Sequence, residues 1–140
     1  MILIDFSAIL FQNIYGSITA CQPVPQEDTE KYILKDFMPT AKGFILNYLF
    51  DLQQEHQYTY GPITICLDNT RNGNWRSDLF VSYKGSRAEG REKSPIPFDE
   101  VFKDVDDLVY QLKENTPWKV VSVERAEADD VILCLAKQYA

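Results

Sequence analysis

Short apolar runs alternate with longer amphipathic segments along this chain. Three of the runs have the length and the β-branched composition of buried strands, at 2–5, 63–67 and 118–123. Each is followed, directly or after a loop, by a segment whose apolar residues recur at helical spacing. Strands that alternate with helices favour an α/β domain built on a parallel sheet with flanking helices.

Four segments have the apolar spacing of helices. In the first, Ser7 is a plausible N-cap and Gly16 a stop signal. In the second, which is the longest, Pro39 is expected to kink the helix or to divide it in two. The four segments are 7–16, 29–57, 99–115 and 126–139.

The stretch between the second strand and the third helical segment has little periodicity. Asn72–Gly73 is a strong turn signal. After the apolar residues 79–81 the chain becomes polar and is interrupted by glycines and prolines from Gly85 to Pro97. This composition predicts a mobile loop.

Carboxylates follow all three predicted strands. Asp5 ends the first, Asp68 follows the second, and the segment ERAEADD at 124–130 follows the third. The carboxyl ends of parallel strands meet at one edge of the sheet, where such folds bind ligands. Carboxylates crowded there would repel one another, so we expect a hard divalent cation, Mg²⁺ or Mn²⁺.

The acids at 124–130 also have a simpler explanation. Acidic residues in the first turn of a helix complement the helix dipole, and this accounts for the segment equally well when it is taken alone. The combination with Asp5 and Asp68 favours the metal site.

The chain carries a formal net charge of −7, which by itself disfavours a nucleic-acid partner. Residues 71–93, however, contain six basic and three acidic side chains. A locally basic segment in an acidic protein can form a phosphate-binding surface, and it can equally be an ordinary solvated loop.

Nothing in the sequence predicts membrane association. No apolar stretch reaches the roughly 18 residues of a membrane span, and the N-terminus lacks the basic segment of a signal peptide. Cys21, Cys66 and Cys134 are far apart and form no C-x-x-C pair, so we expect buried free thiols in a reducing cytoplasm.

Three motifs carry a resemblance to a known family. The segments LIDFS, ICLDNTRNGNWRSDLFVSYKGSR and ERAEADDVI resemble the flap-endonuclease superfamily of 5′ nucleases, in particular its bacteriophage 5′→3′ exonucleases. The resemblance implies a Rossmann-like (PIN-like) α/β fold and a ribonuclease H-type activity on RNA–DNA hybrid primers and 5′-flap DNA during replication. It also implies Mg²⁺ or Mn²⁺ as cofactor, two ions in the complete fold, with metal-binding acids at Asp5, Asp68, Glu127, Asp129 and Asp130.

The resemblance further implies a nucleic-acid surface. Lys84 and Arg87 match basic residues that approach the scissile phosphate, and Tyr83 matches an aromatic residue beside them. The stretch after Gly85 corresponds to the arch beside which a 5′ strand passes. The expected nucleic-acid-binding residues are Arg71, Arg76, Tyr83, Lys84, Arg87, Arg91 and Lys93.

The same resemblance implies partners and a location. DNA and RNA–DNA hybrid with a free 5′ end are expected, together with replication proteins such as a single-stranded-DNA-binding protein, and no membrane. The expected location is the cytoplasm, that of the bacterial host if the chain is phage-encoded.

Members of the family are longer than this chain. They continue with a strand bearing a D-x-D pair and a helical DNA-binding module. We therefore expect residues 1–140 to be the N-terminal part of the catalytic domain, before its last strands, with little cleavage by this part alone. The alternative is a catalytically incompetent DNA-binding or replication-accessory module.

Two further classes are disfavoured. A phosphoacceptor receiver domain has its acid pair near the first strand, whereas here the acids cluster after the third. A small ribonuclease of the toxin type shares the acidic pocket but would not need the DNTRNGNWR and YKGSR elements.

Overall fold

A three-stranded parallel sheet organises the computed structural model, which describes residues 1–84 and 87–139. The strands are β1 (Ile2–Asp5), β2 (Ile63–Cys66) and β3 (Lys119–Val121), and β2 lies between the other two. Asp5 pairs with Cys66, and Cys66 with Val121, so all three strands end at one level. The predicted α/β fold class, a parallel sheet with flanking helices, is confirmed.

The described residues also form helices and one short 3₁₀ turn at Leu34–Asp36. The helices are α1 (Phe6–Cys21), α2 (Met38–Tyr60), α3 (Trp75–Leu79), α4 (Arg87–Lys93), α5 (Phe98–Asn115) and α6 (Ala128–Tyr139).

Helices cover both faces of the sheet. The larger core lies on the side of α1, α2 and α5, where Ile4 and Ile65 pack with apolar residues of these helices. On the opposite face Cys66 packs with Ala128 and Val131 of α6. Every residue of β2 is buried, as expected for a central strand covered on both faces.

The first helix begins and ends differently from the prediction. Asp5, and not Ser7, is its N-cap, accepting hydrogen bonds from the backbone N–H groups of Ser7 (3.0 Å) and Ala8 (3.4 Å). Gly16 does not stop the helix, which continues to Cys21. A single glycine inside a helix costs only about 1 kcal/mol, so packing against α2 outweighs it.

The expectation that Pro39 kinks or divides the helix predicted over 29–57 is also wrong. α2 begins at Met38, so the proline lies in the first turn, where a missing N–H leaves no helical bond unmade. Most of the preceding predicted helix is irregular chain instead, with only the 3₁₀ turn at Leu34–Asp36.

The stretch after β2 contains more structure than its composition predicted. The turn at Asn72–Gly73 is present, with Gly73 at a φ of 98°. The short helix α3 follows this turn, and a second short helix, α4, lies within the segment from Gly85 to Pro97 that was predicted to be a mobile loop. Gly85 and Ser86, which belong to that expectation, lie outside the described residues.

Cys66 is buried as predicted, but Cys21 and Cys134 are exposed, so the burial prediction fails for two of the three thiols. Among the helices that the structure describes, none combines the length and the apolar character needed to cross a membrane.

Candidate functional site

The loops at the carboxyl edge of the sheet are fastened together by backbone hydrogen bonds. Asn69, after β2, forms an antiparallel bridge with Ala126, before α6. The Asn69 N–H donates to the Ala126 carbonyl (2.9 Å), and the Arg125 N–H donates to the Asn69 carbonyl (2.7 Å). The acids that follow β2 and β3 are therefore placed on adjoining loops.

Asp68 joins the starts of two helices. Its Oδ2 accepts from the Ser7 hydroxyl of α1 (2.6 Å), and its Oδ1 accepts from the Ala128 N–H of α6 (2.7 Å). Both contacts place this carboxylate at helix N-termini, where negative charge is favoured.

The acidic edge is the carboxyl edge of the sheet with its five acids, Asp5, Asp68, Glu127, Asp129 and Asp130. Asp5, Asp68 and Asp129 are the acids of this edge whose negative charge is not compensated by a basic side chain in the part of the chain that the structure describes. Partial burial raises the pKa of Asp5, the nearby charges of Asp68 and Asp129 raise it further, and backbone hydrogen bonds from Ala8 and Ser7 oppose the rise. Within residues 1–84 and 87–139 none of these three carboxylates forms a salt bridge. They leave an excess of negative charge at the edge.

Glu127, in contrast, is surrounded by donors. The Lys84 ammonium lies 2.5 Å from its Oε1, the Asn74 side-chain amide donates at 3.1 Å, and Arg76 lies 3.4 Å from Oε2. The Tyr83 hydroxyl lies 3.3 Å from both oxygens. Partial burial lowers the pKa of Lys84, but its hydrogen bonds with Glu127 and Tyr83 outweigh this, so the pKa is raised.

Asp130 is held by the same segment. Arg76 binds both of its oxygens, at 2.6 and 2.8 Å, and the Trp75 indole N–H donates at 3.1 Å. The hydrogen bonds from Arg76 hold the pKa of Asp130 well below its usual range, although burial acts in the opposite direction. Asp130 also raises the pKa of Arg76.

Within the described residues, the other expected nucleic-acid-binding residues form no ion pair or side-chain hydrogen bond with the five acids. Arg71 pairs with Asp106 of α5, and Lys93 pairs with Glu89 within α4 at 2.9 Å. Arg91 lies over the ring of Phe102, 5.2 Å from its centre. Arg87 begins α4 and is exposed. The structure thus places Arg76, Tyr83 and Lys84 in direct contact with Glu127 or Asp130, while Arg71 and Arg91 line a cavity that also includes Asp68.

Sequence reasoning missed some contributors to the site. Ser7 was taken for a helix cap, and its contact with Asp68 needs the pairing of β1 with β2. Asn74 was given no role, although it caps α3 and donates to Glu127. Arg125 was passed over, and its positive φ of 64° leaves no signature in sequence.

The acidic edge fits a hydrated cation better than a fully protein-ligated one. Among the described residues, no three side chains of Asp, Glu, His or Cys are arranged to ligate one metal ion directly. The donors at Asp5, Asp68 and Asp129 are all carboxylate oxygens, which hard cations prefer, and Mg²⁺ keeps several waters in most sites. The residues present therefore fit Mg²⁺ or Mn²⁺ held partly through water.

Comparison with known proteins adds two findings. All 140 residues match the model of a family described as the 5′–3′ exonuclease, N-terminal resolvase-like domain. The protein named Ribonuclease H of Enterobacteria phage T4 is 32% identical over 139 residues. That similarity covers 99% of this chain and 42% of the phage T4 protein, so this chain spans less than half the length of that relative.

Proposed function

The chain belongs to the family of the 5′–3′ exonuclease N-terminal resolvase-like domain, as its three motifs indicated, and from this we propose a metal-dependent nuclease acting at 5′ ends. Nucleases of the flap-endonuclease type are the class to which the family and the phage T4 relative point. The proposed substrates are RNA–DNA hybrid primers and 5′-flap DNA.

One juxtaposition carries the proposal. Uncompensated carboxylates at Asp5, Asp68 and Asp129 lie beside a cationic and aromatic pair, Lys84 and Tyr83, which reaches the same edge at Glu127. Phosphodiester hydrolysis needs both a site for hard cations and a positive group for the charge that develops on the phosphate. Few purely structural roles need a group of uncompensated carboxylates beside a cationic side chain.

The proposed metal ligands are Asp5, Asp68, Glu127 and Asp129. A bound Mg²⁺ or Mn²⁺ would lower the pKa of a bound water and stabilise negative charge, and a second ion would assist the leaving oxygen. Asp68 is oriented for this by Ser7 and by the Ala128 N–H.

Lys84 and Tyr83 are proposed to bind the scissile phosphate. Lys84 can transfer its hydrogen bond from Glu127 to a phosphate oxygen, because its side chain is one-third exposed and has no other anionic partner among the described residues. Arg87, Arg91 and Lys93 of α4 are exposed and are proposed to follow the strand electrostatically.

The partners and the location stay proposals of the same kind. They are nucleic acid with a free 5′ end and replication proteins such as a single-stranded-DNA-binding protein, in the cytoplasm of a bacterial host. No membrane partner is proposed.

The test is a cleavage assay on 5′-flap DNA and on RNA–DNA hybrid, with and without Mg²⁺ or Mn²⁺. We expect slow, metal-dependent cleavage that falls by more than about tenfold in Asp68→Asn. The Asn oxygen can still accept from the Ala128 N–H, and its NH2 group can donate to the Ser7 hydroxyl oxygen. Asp28→Asn, at an exposed acid in the loop after α1, is the matched control and should be unaffected. Cleavage that survives both a chelator and Asp68→Asn would refute the metal-dependent mechanism.

The alternative is a module that binds nucleic acid without cutting it. The occupation of Glu127 by Lys84 and Arg76, and the absence of a three-residue ligand set among the described residues, favour it. If the chain binds 5′-ended DNA but does not cleave it at any Mg²⁺ or Mn²⁺ concentration, the result would support the non-cleaving module over the nuclease.

A further inference from the structure

We infer that Arg76 and Asp130 are a positioning pair that holds the acidic turn, residues 127–130, in place. In this role Arg76 is not a phosphate contact and Asp130 is not a metal ligand, although the family resemblance implies those roles. The inference deepens the proposed function, since the turn carries the proposed ligands Glu127 and Asp129.

Both oxygens of the Asp130 carboxylate are engaged inside the protein. Its Oδ1 accepts from Arg76 at 2.6 Å. Its Oδ2 accepts from Arg76 at 2.8 Å, from the Trp75 indole at 3.1 Å and from the Glu127 N–H at 3.0 Å. A carboxylate has about four lone-pair positions. A cation at the remaining position on Oδ1 would lie beside the Arg76 guanidinium that is bonded to the same oxygen, and the two positive charges would repel each other.

The guanidinium of Arg76 is likewise occupied by contacts within the protein. It bridges Asp130 and Glu127, lying 3.4 Å from Glu127 Oε2, and stacks on the Trp75 ring with 4.5 Å to the ring centre. The side chain is only 26% exposed. A phosphate would have to compete with two carboxylates for this group, whereas Arg87 and Arg91 are exposed.

Three consecutive residues act together on the acidic turn. Asn74 donates to Glu127, Trp75 donates to Asp130, and Arg76 binds both. The Asn74 side chain also accepts from the Arg76 N–H at 3.0 Å, which holds the start of α3 in the conformation that presents all three donors. The segment 74–76 is therefore a template for the first turn of α6.

The template separates two neighbouring acids by function. Successive residues of a helix point about 100° apart. Asp130 faces Arg76, while Asp129 forms no salt bridge within residues 1–84 and 87–139. Locking Asp130 therefore orients Asp129 away from Arg76. Asp130 and Arg76 act through Asp129 and Glu127.

A double-mutant cycle tests the inference with two readouts, Mn²⁺ affinity measured by electron paramagnetic resonance and the melting temperature in chelator. The variants are Asp130→Asn, Arg76→Gln and the double variant, with Asp129→Asn as the matched neighbour. We expect Asp130→Asn to lower Tm by about 3–5 °C in the unmodified background and by much less in the Arg76→Gln background. Arg76→Lys should restore part of the loss.

The Mn²⁺ measurements distinguish a ligand from a positioning residue. Asp129→Asn should weaken binding by about tenfold or more in either background. Any weakening by Asp130→Asn should be smaller in the Arg76→Gln background, because Asp130 has then lost its bidentate partner and keeps only the contacts from the Trp75 indole and the Glu127 N–H. Equal weakening by Asp130→Asn in both backgrounds, with an unchanged Tm, would show a direct ligand and overturn the inference.

The outcomes also separate this inference from the proposed function. If the unmodified chain binds no Mn²⁺, the metal site fails, and the thermal cycle alone decides the positioning pair. Additive effects of the two substitutions on Tm would then overturn it.

Discussion

The Lys84 ammonium lies 2.5 Å from Glu127 Oε1, so a side chain proposed to bind phosphate occupies a carboxylate proposed to bind metal. Lys84 reaches this position from a backbone φ of 55°, which non-glycine residues adopt rarely. Without substrate, the cationic group bound to Glu127 is the Lys84 ammonium of the chain itself. Binding of a divalent ion and release of Lys84 are therefore linked.

Replacing Lys84 tests this competition. In Lys84→Ala, Mn²⁺ should bind about fivefold more tightly in the absence of nucleic acid, the factor that corresponds to one partly exposed ion pair of about 1 kcal/mol. The affinity for 5′-ended DNA should fall in the same variant, and its salt dependence should flatten. Calorimetric titration with Mn²⁺ and fluorescence anisotropy with a 5′-labelled strand measure the two effects.

Lys93→Ala is the control for charge alone, since Lys93 is exposed and, within residues 1–84 and 87–139, pairs only with Glu89 in α4. It should leave Mn²⁺ affinity unchanged. Equal Mn²⁺ affinities for Lys84→Ala and the unmodified chain would show that Lys84 does not compete for the site.

Asp5→Asn should stabilise the metal-free protein. Burial, and then the charges of Asp68 and Asp129, raise the pKa of Asp5, so its ionised form is disfavoured in the folded state. Asn serves as well as Asp as a helix N-cap, so the bonds to Ser7 and Ala8 are kept. Calorimetry in chelator at pH 7 should show a rise in Tm of about 2–4 °C.

The gain from Asp5→Asn should shrink as the pH falls through the raised pKa, because the unmodified carboxyl then becomes neutral. In excess Mg²⁺ the order should reverse, since only the unmodified chain gains stability from the ion. Asp28→Asn is the exposed control. A Tm below that of the unmodified chain in chelator would contradict the charge repulsion.

The Asp130–Arg76 pair predicts a specific acid sensitivity. Because Arg76 lowers the pKa of Asp130, the pair stabilises the fold above the unfolded pKa of about 3.9. That contribution is lost as the pH falls below this value. The Tm difference between the unmodified chain and Asp130→Asn should be constant from about pH 7 to 5 and shrink below about pH 4. A difference that persists unchanged into strong acid would mean that the pair is not its source.

We expect position 125 to favour glycine over alanine. The φ of Arg125, 64°, lies in the left-handed region. Both partners of the Arg125–Asp78 ion pair are exposed, so the pair contributes little to stability. Arg125→Gly should therefore be more stable than Arg125→Ala by about 1 kcal/mol, as measured by urea unfolding. The same two substitutions at Glu124, whose φ is not positive, should favour alanine or show no difference. Equal stabilities at position 125 would show that the backbone there relaxes.

Much of the fold could be read from local pattern. The strands at 2–5 and 63–66 and the helix at 99–115 follow from apolar periodicity, which depends only on which faces must be buried. The convergence of Asp5 and Asp68 follows from parallel pairing, which places the carboxyl ends together. The three motifs identified the family, which the match over the whole chain confirms.

The sequence could not assign partners within the acidic edge. Five acids and several basic residues were visible, but a motif does not state which carboxylate faces which cation. Arg76 and Asp130 are 54 residues apart, and their bidentate contact depends on the bridge between Asn69 and Ala126. The division into uncompensated acids and neutralised acids is a property of that loop pairing.

The sequence by itself therefore determined the parallel α/β order, the edge at which the acids meet and the family, because burial periodicity and motif chemistry are local. Only the tertiary structure decided that Lys84 and Arg76 pair with Glu127 and Asp130, while Asp5, Asp68 and Asp129 have no salt bridge among the described residues. Electrostatic pairing depends on distances of a few ångströms between segments far apart in the chain. The tertiary fold alone sets those distances.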